Sequence, residues 1–218
     1  MTKTPTDDEM LREYWLTGLH PDSPASAIET NAANRLLVAA RDAFAANGYK
    51  GTTTRDIAAG AGMSPAAMYI HYASKQEMLF KLSLLGHGSC YESLLQAVDM
   101  EAGPRRRLRA AVYDFTYWHA KHHVISRTIQ YELKYLDEEN YRPVAEVRRK
   151  IHSVVEGVVL EGVRTGDFAV GDVSTTTLAI LSMAIDTVRW FPSRSMSDPA
   201  TLAAHYSALA DRLVSGQS

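Results

Sequence analysis

A single cysteine, Cys90, excludes an internal disulfide framework and fits a reducing compartment. Nothing around it has metal-ligand spacing, so it reads as a buried packing thiol. No run approaches the roughly 18 apolar residues that a membrane span requires. The N-terminus, with Asp7, Asp8 and Glu9 and no apolar centre, does not read as a secretion signal. No segment alternates apolar and polar residues as a half-buried strand would. These absences lead to a soluble, cytoplasmic, all-α chain, and 46% hydrophobic with 22% charged residues is ordinary for one. Chemistry is scarce as well. No nucleophile, base and orienting group fall in register, and the best acid–base case, a histidine with Glu132, has no supporting motif. His119 with His122 or His123 has metal-pair spacing, but no carboxylate or cysteine completes a tetrahedral set. We expect no catalytic residues, no metal and no cofactor.

The charge is unevenly spread. The formal net charge is −2, yet residues 31–90 carry Arg35, Arg41, Lys50, Arg55, Lys75 and Lys81 against only Asp42, Asp56 and Glu77. A local basic excess is the footprint of phosphate binding, even on an acidic protein. Within that region the stretch from Thr53 to Lys75 is dense in start and stop signals. Thr53 with Asp56 forms a capping-box-like pair, and Ile57, Ala58 and Ala61 give a narrow apolar face. Gly62 supplies the unusual backbone of a tight turn. Ser64 caps a second helix with Pro65 at its first position, and Ser74 with Glu77 opens a third. Two short helices joined by a glycine turn form a helix-turn-helix pattern.

The second helix has no acidic side chain between Pro65 and Lys75. Met68 is expected to face inward, with Ile57 and Ala61. Tyr69, His71, Tyr72 and Lys75 can donate hydrogen bonds to a duplex backbone, and Pro65, Ala66, Ala67 and Ile70 offer small apolar surface to base edges. Spacing alone leaves open an ordinary helical hairpin with a tyrosine-rich surface.

Residues from about 34 to 80 strongly resemble the DNA-binding domain of the TetR family of transcriptional regulators. The resemblance rests on Ala40, Phe44, Gly48, Tyr49, Thr52, Thr53, Arg55, Asp56, Ile57, Ala58, Ala61, Gly62, Ser64, Tyr69, His71, Tyr72, Ser74, Lys75 and Glu77. It implies that Thr53, Tyr69, His71 and Lys75 hold phosphates and that positions 65, 66 and 70 face bases. The expected DNA-binding set is Thr53, Thr54, Ser64, Pro65, Ala66, Ala67, Tyr69, Ile70, His71, Tyr72 and Lys75. Ile70 departs from the family pattern, where a polar or aromatic residue is usual, so direct readout is expected to be lean.

The rest of the chain reads as helix. Residues 1–30 form an extension, with a short helix capped by Thr6 and Glu9 and carrying Met10, Leu11, Tyr14, Trp15 and Leu19, then a linker from Pro21 to Pro24. Ser26 and Glu29 cap the first long helix, which ends at Asn47–Gly48 in a left-handed residue. Residues 31–80 form the DNA-binding domain and 81–218 a ligand-binding and dimerisation domain. A long helix follows the motif, with a bend expected at Gly86 and Gly88. Gly103–Pro104 begins another, whose Arg105, Arg106, Arg107 and Arg109 read as a solvated face or the rim of an anionic-ligand site. Further helices are expected at 125–136, 141–166, 173–191 and 200–214. Leu202, Tyr206, Leu209 and Leu213 repeat as a helix-packing seam, joined by Leu178, Leu181, Ile185 and Val188.

The resemblance implies that the last two helices pair with their copies in a homodimer. It also implies that the middle helices enclose an apolar effector pocket, with Trp118, Arg127, Tyr131, Met183, Asp186, Arg189 and Trp190 as candidate ligand-binding residues. The run from Val188 to Pro199 resembles members tied to fatty-acyl or steroid breakdown. The expectation is a repressor released from a palindromic, double-stranded DNA operator by an amphipathic effector, an acyl-CoA or a lipid or steroid catabolite. A cationic-drug sensor using Glu132 or Asp186 is the alternative, and a small helical enzyme a remote one.

Overall fold

The structure, a computed structural model, describes residues 32–215. The short helix and linker expected before Pro24 and the Ser26–Glu29 cap lie outside the described residues. Within them the order is α1 (Ala32–Gly51), α2 (Thr54–Gly60), α3 (Pro65–Met68), α4 (Lys75–Asp99), α5 (Pro104–Lys121), α6 (His123–Glu132), a 3-10 turn (Leu133–Tyr135), α7 (Glu138–Thr165), α8 (Val173–Trp190) and α9 (Pro199–Val214). The only strand-like pairing among the described residues is an isolated bridge between Ser193 and Met196.

The chain divides into two units. One takes residues up to Ser89 with Val124–Val147, and the other takes Cys90–His123 with residues from Arg148 onward. In the first unit, Leu36, Leu37, Ala40 and Phe44 of α1 recur at helical spacing and are buried with Ile57, Met68, Leu79 and Leu82. Ile125 and Ile129 of α6 belong to the same cluster. In the second unit α9 lies along α5, and α8 packs on both. The Ser207 hydroxyl of α9 donates to the Arg109 carbonyl of α5 at 2.9 Å.

Several boundaries differ from the sequence reading for identifiable reasons. At Gly48 φ is +69°, as a helix stop needs, but ψ is 167°. That is the extended positive-φ region, which is nearly exclusive to glycine. Helix α4 is continuous through Gly86 and Gly88, because the burial of Leu82, Leu85, Cys90 and Leu94 outweighs a propensity cost of about 1 kcal/mol per glycine. Helix α7 begins before Tyr141 because the Asp137 carboxylate accepts from the Asn140 N–H at 2.9 Å, an N-cap the sequence reading overlooked. Pro143 therefore lies inside the helix.

Of the arginine run, Arg106 and Arg109 are exposed, as a solvated face requires, whereas Arg105 and Arg107 are tied to acidic partners. Arg105 donates to the Asp211 carboxylate at 2.8 Å, the Ser215 hydroxyl and the Asp167 carbonyl. Arg107 donates to Glu161 at 2.9 Å and to the Glu101 carbonyl, and Arg106 donates to the Ala102 carbonyl.

Candidate nucleic-acid interface and effector region

The motif is assembled by local hydrogen bonds. The Thr53 hydroxyl accepts from the Asp56 N–H at 3.2 Å, and the Asp56 carboxylate accepts from the Thr53 N–H at 2.8 Å. A cap of this kind is worth about 1 kcal/mol. The Thr53 hydroxyl and N–H together hold the Asp56 carboxyl below the usual range, so the acid of α2 is directed at its own cap. Gly62 turns the chain at φ +67°. The Ser64 hydroxyl then accepts from the Ala67 N–H at 3.1 Å to start α3, with Pro65 at its head. Beneath it Met68 is fully buried with Ile57 and Ala58. Helix α3 ends at Met68, and turns carry the chain to the third cap. There the Ser74 hydroxyl accepts from the Glu77 N–H, while the Glu77 carboxylate reaches past Ser74 to the Ala73 N–H at 2.7 Å.

This packing leaves Thr53, Ser64, Pro65, Ala66, Tyr69, Ile70 and His71 exposed, and Thr54 and Ala67 partly so. Ile70 is 80% exposed and Tyr69 54%, large apolar surfaces that a folded chain on its own gains nothing by presenting. The Tyr69 and Thr54 hydroxyls are 3.4 Å apart, which joins the exposed sides of α2 and the turn after α3.

Two expected backbone contacts sit differently. Tyr72 is buried, and its hydroxyl donates to the Ala33 carbonyl at 3.3 Å. Its aromatic body fills the core of the first unit, so it is a packing residue. Lys75 directs its ammonium to the Tyr49 and Thr52 carbonyls, each at 2.8 Å, with the Tyr49 ring 4.3 Å away. Neither tie has a sequence signal, because each depends on residues more than twenty positions away. Arg55, part of the local basic excess but not of the expected contact set, is exposed on α2.

The candidate effector residues are distributed over both units. In the second, Trp118 is buried with its ring against His119 and His122. Trp190 packs on Ala120, Phe191 and Leu202, and Met183 is half-buried. Asp186 and Arg189 are exposed and joined by two hydrogen bonds, 3.0 and 2.9 Å, which pulls the Asp186 carboxyl below its usual range. In the first unit Arg127 and Tyr131 are exposed. A side chain at Gly48 would stand 3.5 Å from a Glu132 carboxylate oxygen, so Glu132 lies beside the end of α1. His119 is held neutral, its pKa lowered to about 4 by burial, with the Arg148 charge adding to that and the Phe115 carbonyl opposing it. Since that carbonyl only accepts, Nδ1 carries the proton in its 2.7 Å hydrogen bond. Among the described residues no three His, Cys, Asp or Glu side chains converge as a metal site, and no helix is long and apolar enough to cross a membrane.

Comparison with known proteins agrees with this geometry. Residues 36–82 match the family described as bacterial regulatory proteins, tetR family, and residues 101–214 match the tetracyclin repressor-like C-terminal domain. A solved bacterial regulatory protein of the tetR family from Rhodococcus RHA1 is 40% identical. It covers 87% of this chain and 100% of its own, with a TM-score of 0.83. The HTH-type transcriptional repressor KstR2 of Rhodococcus jostii is 27% identical over 184 residues, 83% of this chain and 90% of that protein. The transcriptional regulator FadR from Bacillus subtilis, solved in complex with stearoyl-CoA, shares the fold at 23% identity. Its TM-score is 0.69, with 84% of this chain and 98% of that one covered. The chain belongs to the TetR family and is a ligand-responsive, DNA-binding transcriptional regulator.

Proposed function

We propose that the chain is a homodimeric repressor that leaves a palindromic operator when it binds an amphipathic effector, an acyl-CoA thioester or a related lipid or steroid catabolite. The observation that carries the operator half is the exposure of Tyr69 and Ile70 above a fully buried Met68. A rigid anchor below, an uncovered aliphatic side chain for a base edge and an uncovered tyrosine hydroxyl for a phosphate suit a duplex groove. Thr53, Tyr69, His71 and the remaining N–H of Lys75 serve the phosphates, and Pro65, Ala66 and Ile70 the bases. Residues 31–80 carry this role, and 81–218 the effector and dimer roles. A repressor works where its operator is, in the cytoplasm, by binding rather than by catalysis.

The two-fold partner is supported by Leu178 of α8 and by Leu209 and Leu213 of α9, which are 58%, 41% and 52% exposed. Leu202 of the same expected seam faces inward at 2%. Recognition helices of a dimer must stand about 34–36 Å apart to enter successive major grooves, so an effector that favours a different spacing releases the duplex. For the effector class, the support is that the B. subtilis regulator with the same fold is solved with stearoyl-CoA, a long acyl chain with a charged head. Trp118, Tyr131, Met183 and Trp190 are the apolar candidates here, and Arg127 and Arg189 the polar ones, with Arg189 exchanging Asp186 for the head. The drug-sensor alternative is weakened by its two acids: Asp186 is neutralised by Arg189, and Glu132 lies beside Gly48.

The test is selection of a duplex from a randomised pool, then release by a panel of acyl-CoAs, fatty acids, steroids and cationic dyes. A palindrome released by an acyl-CoA is expected. Release by the dyes alone, abolished in Glu132→Ala, would establish the drug sensor instead.

A further inference from the structure

The helix-turn-helix segment is bracketed by Tyr49 on one side and by Lys75 and Gln76 on the other, and both brackets meet at one residue far along the chain. The Tyr135 ring stacks on the Tyr49 ring, with centroids 5.0 Å apart and planes at 16°. The Tyr135 carbonyl accepts from the Gln76 side-chain amide at 2.9 Å. Lys75 closes the loop with its hydrogen bonds to the Tyr49 and Thr52 carbonyls. Lys50 and Lys134 lie over the Tyr135 ring at 5.6 and 5.3 Å, so the stack is flanked by cations. Thr52 immediately precedes the Thr53 cap of α2, and Lys75 is the first residue of α4.

We infer that Tyr135 is a positioning residue for operator binding: one side chain and its carbonyl set where the motif begins and where it ends. The 3-10 turn that carries Tyr135 falls within residues 101–214, the span of the C-terminal family match. It nevertheless packs in the first unit with the DNA-binding helices, next to α6, whose Ile125 and Ile129 share their core. Effector-domain sequence thus supplies the support on which the motif rests. A side chain that only filled core would matter through stability. One that aims the motif matters through the number of phosphates the motif reaches. This inference rests on the operator-binding reading above.

The experiment compares Tyr135→Ala, Tyr135→Phe and Gln76→Ala on the selected duplex over a range of salt, with backbone hydrogen exchange of residues 49–56 measured on the free proteins. For Tyr135→Ala we expect roughly a tenfold loss of operator affinity, the size of one aromatic stack removed. We also expect the slope of log affinity against log salt to flatten by about 0.9 for each phosphate the motif no longer reaches. Fewer correctly folded molecules would lower the apparent affinity and leave that slope unchanged. Tyr135→Phe keeps the ring and should retain affinity and slope, and Gln76→Ala should fall between the two. Exchange at 49–56 should quicken in Tyr135→Ala and not in Tyr135→Phe. An unchanged slope and unchanged exchange in a folded Tyr135→Ala protein would overturn the positioning role. If the unaltered protein selects no duplex, the operator reading fails, and unaltered exchange in Tyr135→Ala would still refute the support on its own.

Discussion

The ring of Phe168 lies on Gly162 so closely that a methyl group at 162 would overlap three of its atoms. The Phe168 N–H donates to the Gly162 carbonyl at 3.0 Å, so backbone and ring are fixed to the same residue. Gly162 sits in the last turns of α7, where alanine would otherwise be the better helix former by about 1 kcal/mol. The contact decides the sign, because a buried ring held this near its own backbone cannot swing aside cheaply. Gly162→Ala should lower unfolding stability by about 2 kcal/mol, read from the midpoint of a urea titration. A midpoint equal to or above that of the unaltered protein would show that the ring relocates without cost.

The pH dependence of stability has a sign that follows from His119. Its pKa falls to about 4 in the fold, chiefly through burial, against about 6.5 when unfolded. Between those values the unfolded chain binds the proton and the folded chain does not, so stability falls as pH drops from about 6.5 towards 4. The residue is partly reached by solvent, so we expect the full effect to be on the order of 2 kcal/mol. Asp114 has the opposite slope, its carboxyl pushed up by burial against the Ser93 hydrogen bond. Melting curves at pH 7.5, 5.5 and 4.5 for the unaltered protein and His119→Gln separate the two. The difference between the proteins should shrink or reverse towards pH 4.5; a constant offset would rule out the histidine as the source.

The features that were legible in the sequence are those fixed within a few residues. The Thr53–Asp56 and Ser64–Pro65 caps, the Gly62 turn and the inward Met68 each depend on neighbours at helical spacing, and the structure has all of them. What stayed hidden depends on distant partners. Tyr72 has the residue type and spacing of a phosphate donor, but its hydroxyl donates to the Ala33 carbonyl. Arg105 reads from the sequence as a solvated or ligand-rim residue, but Asp211, over a hundred residues on, accepts its hydrogen bond. Leu202 and Leu209 belong to one heptad-like seam, but only the packing of α9 along α5 decides that the first is covered and the second is not.

Ile70 separates affinity from specificity. At 80% exposure it contributes little to the core, so Ile70→Arg should change stability by no more than about 0.5 kcal/mol. An arginine there can make the bidentate guanine contact that isoleucine cannot. Duplex selection with the variant should therefore recover a different base preference at one position in each half-site. Tyr69→Phe, by contrast, should weaken binding to every duplex without changing the salt slope, since a neutral hydroxyl displaces no counterion. An identical consensus for Ile70→Arg and the unaltered protein would move base reading off this residue.

The dimer prediction concerns Leu178, Leu209 and Leu213. Burying three leucines that are 58%, 41% and 52% exposed in the single chain contributes about 1 kcal/mol for each, roughly half of what a fully exposed leucine would give. In a two-fold interface every contact occurs twice, so a charge at one position is felt in both copies. Leu209→Glu should convert the dimer to a monomer by light scattering while the melting temperature of the monomer stays well above ambient. Operator affinity should fall by a factor of about a hundred or more, because a lone half-site lacks the specificity that two supply together. The adjacent Ala210 is fully buried within the chain, so Ala210→Glu should unfold the protein rather than dissociate it. A folded Leu209→Glu protein that remains dimeric and binds its operator normally would place the two-fold interface on another face.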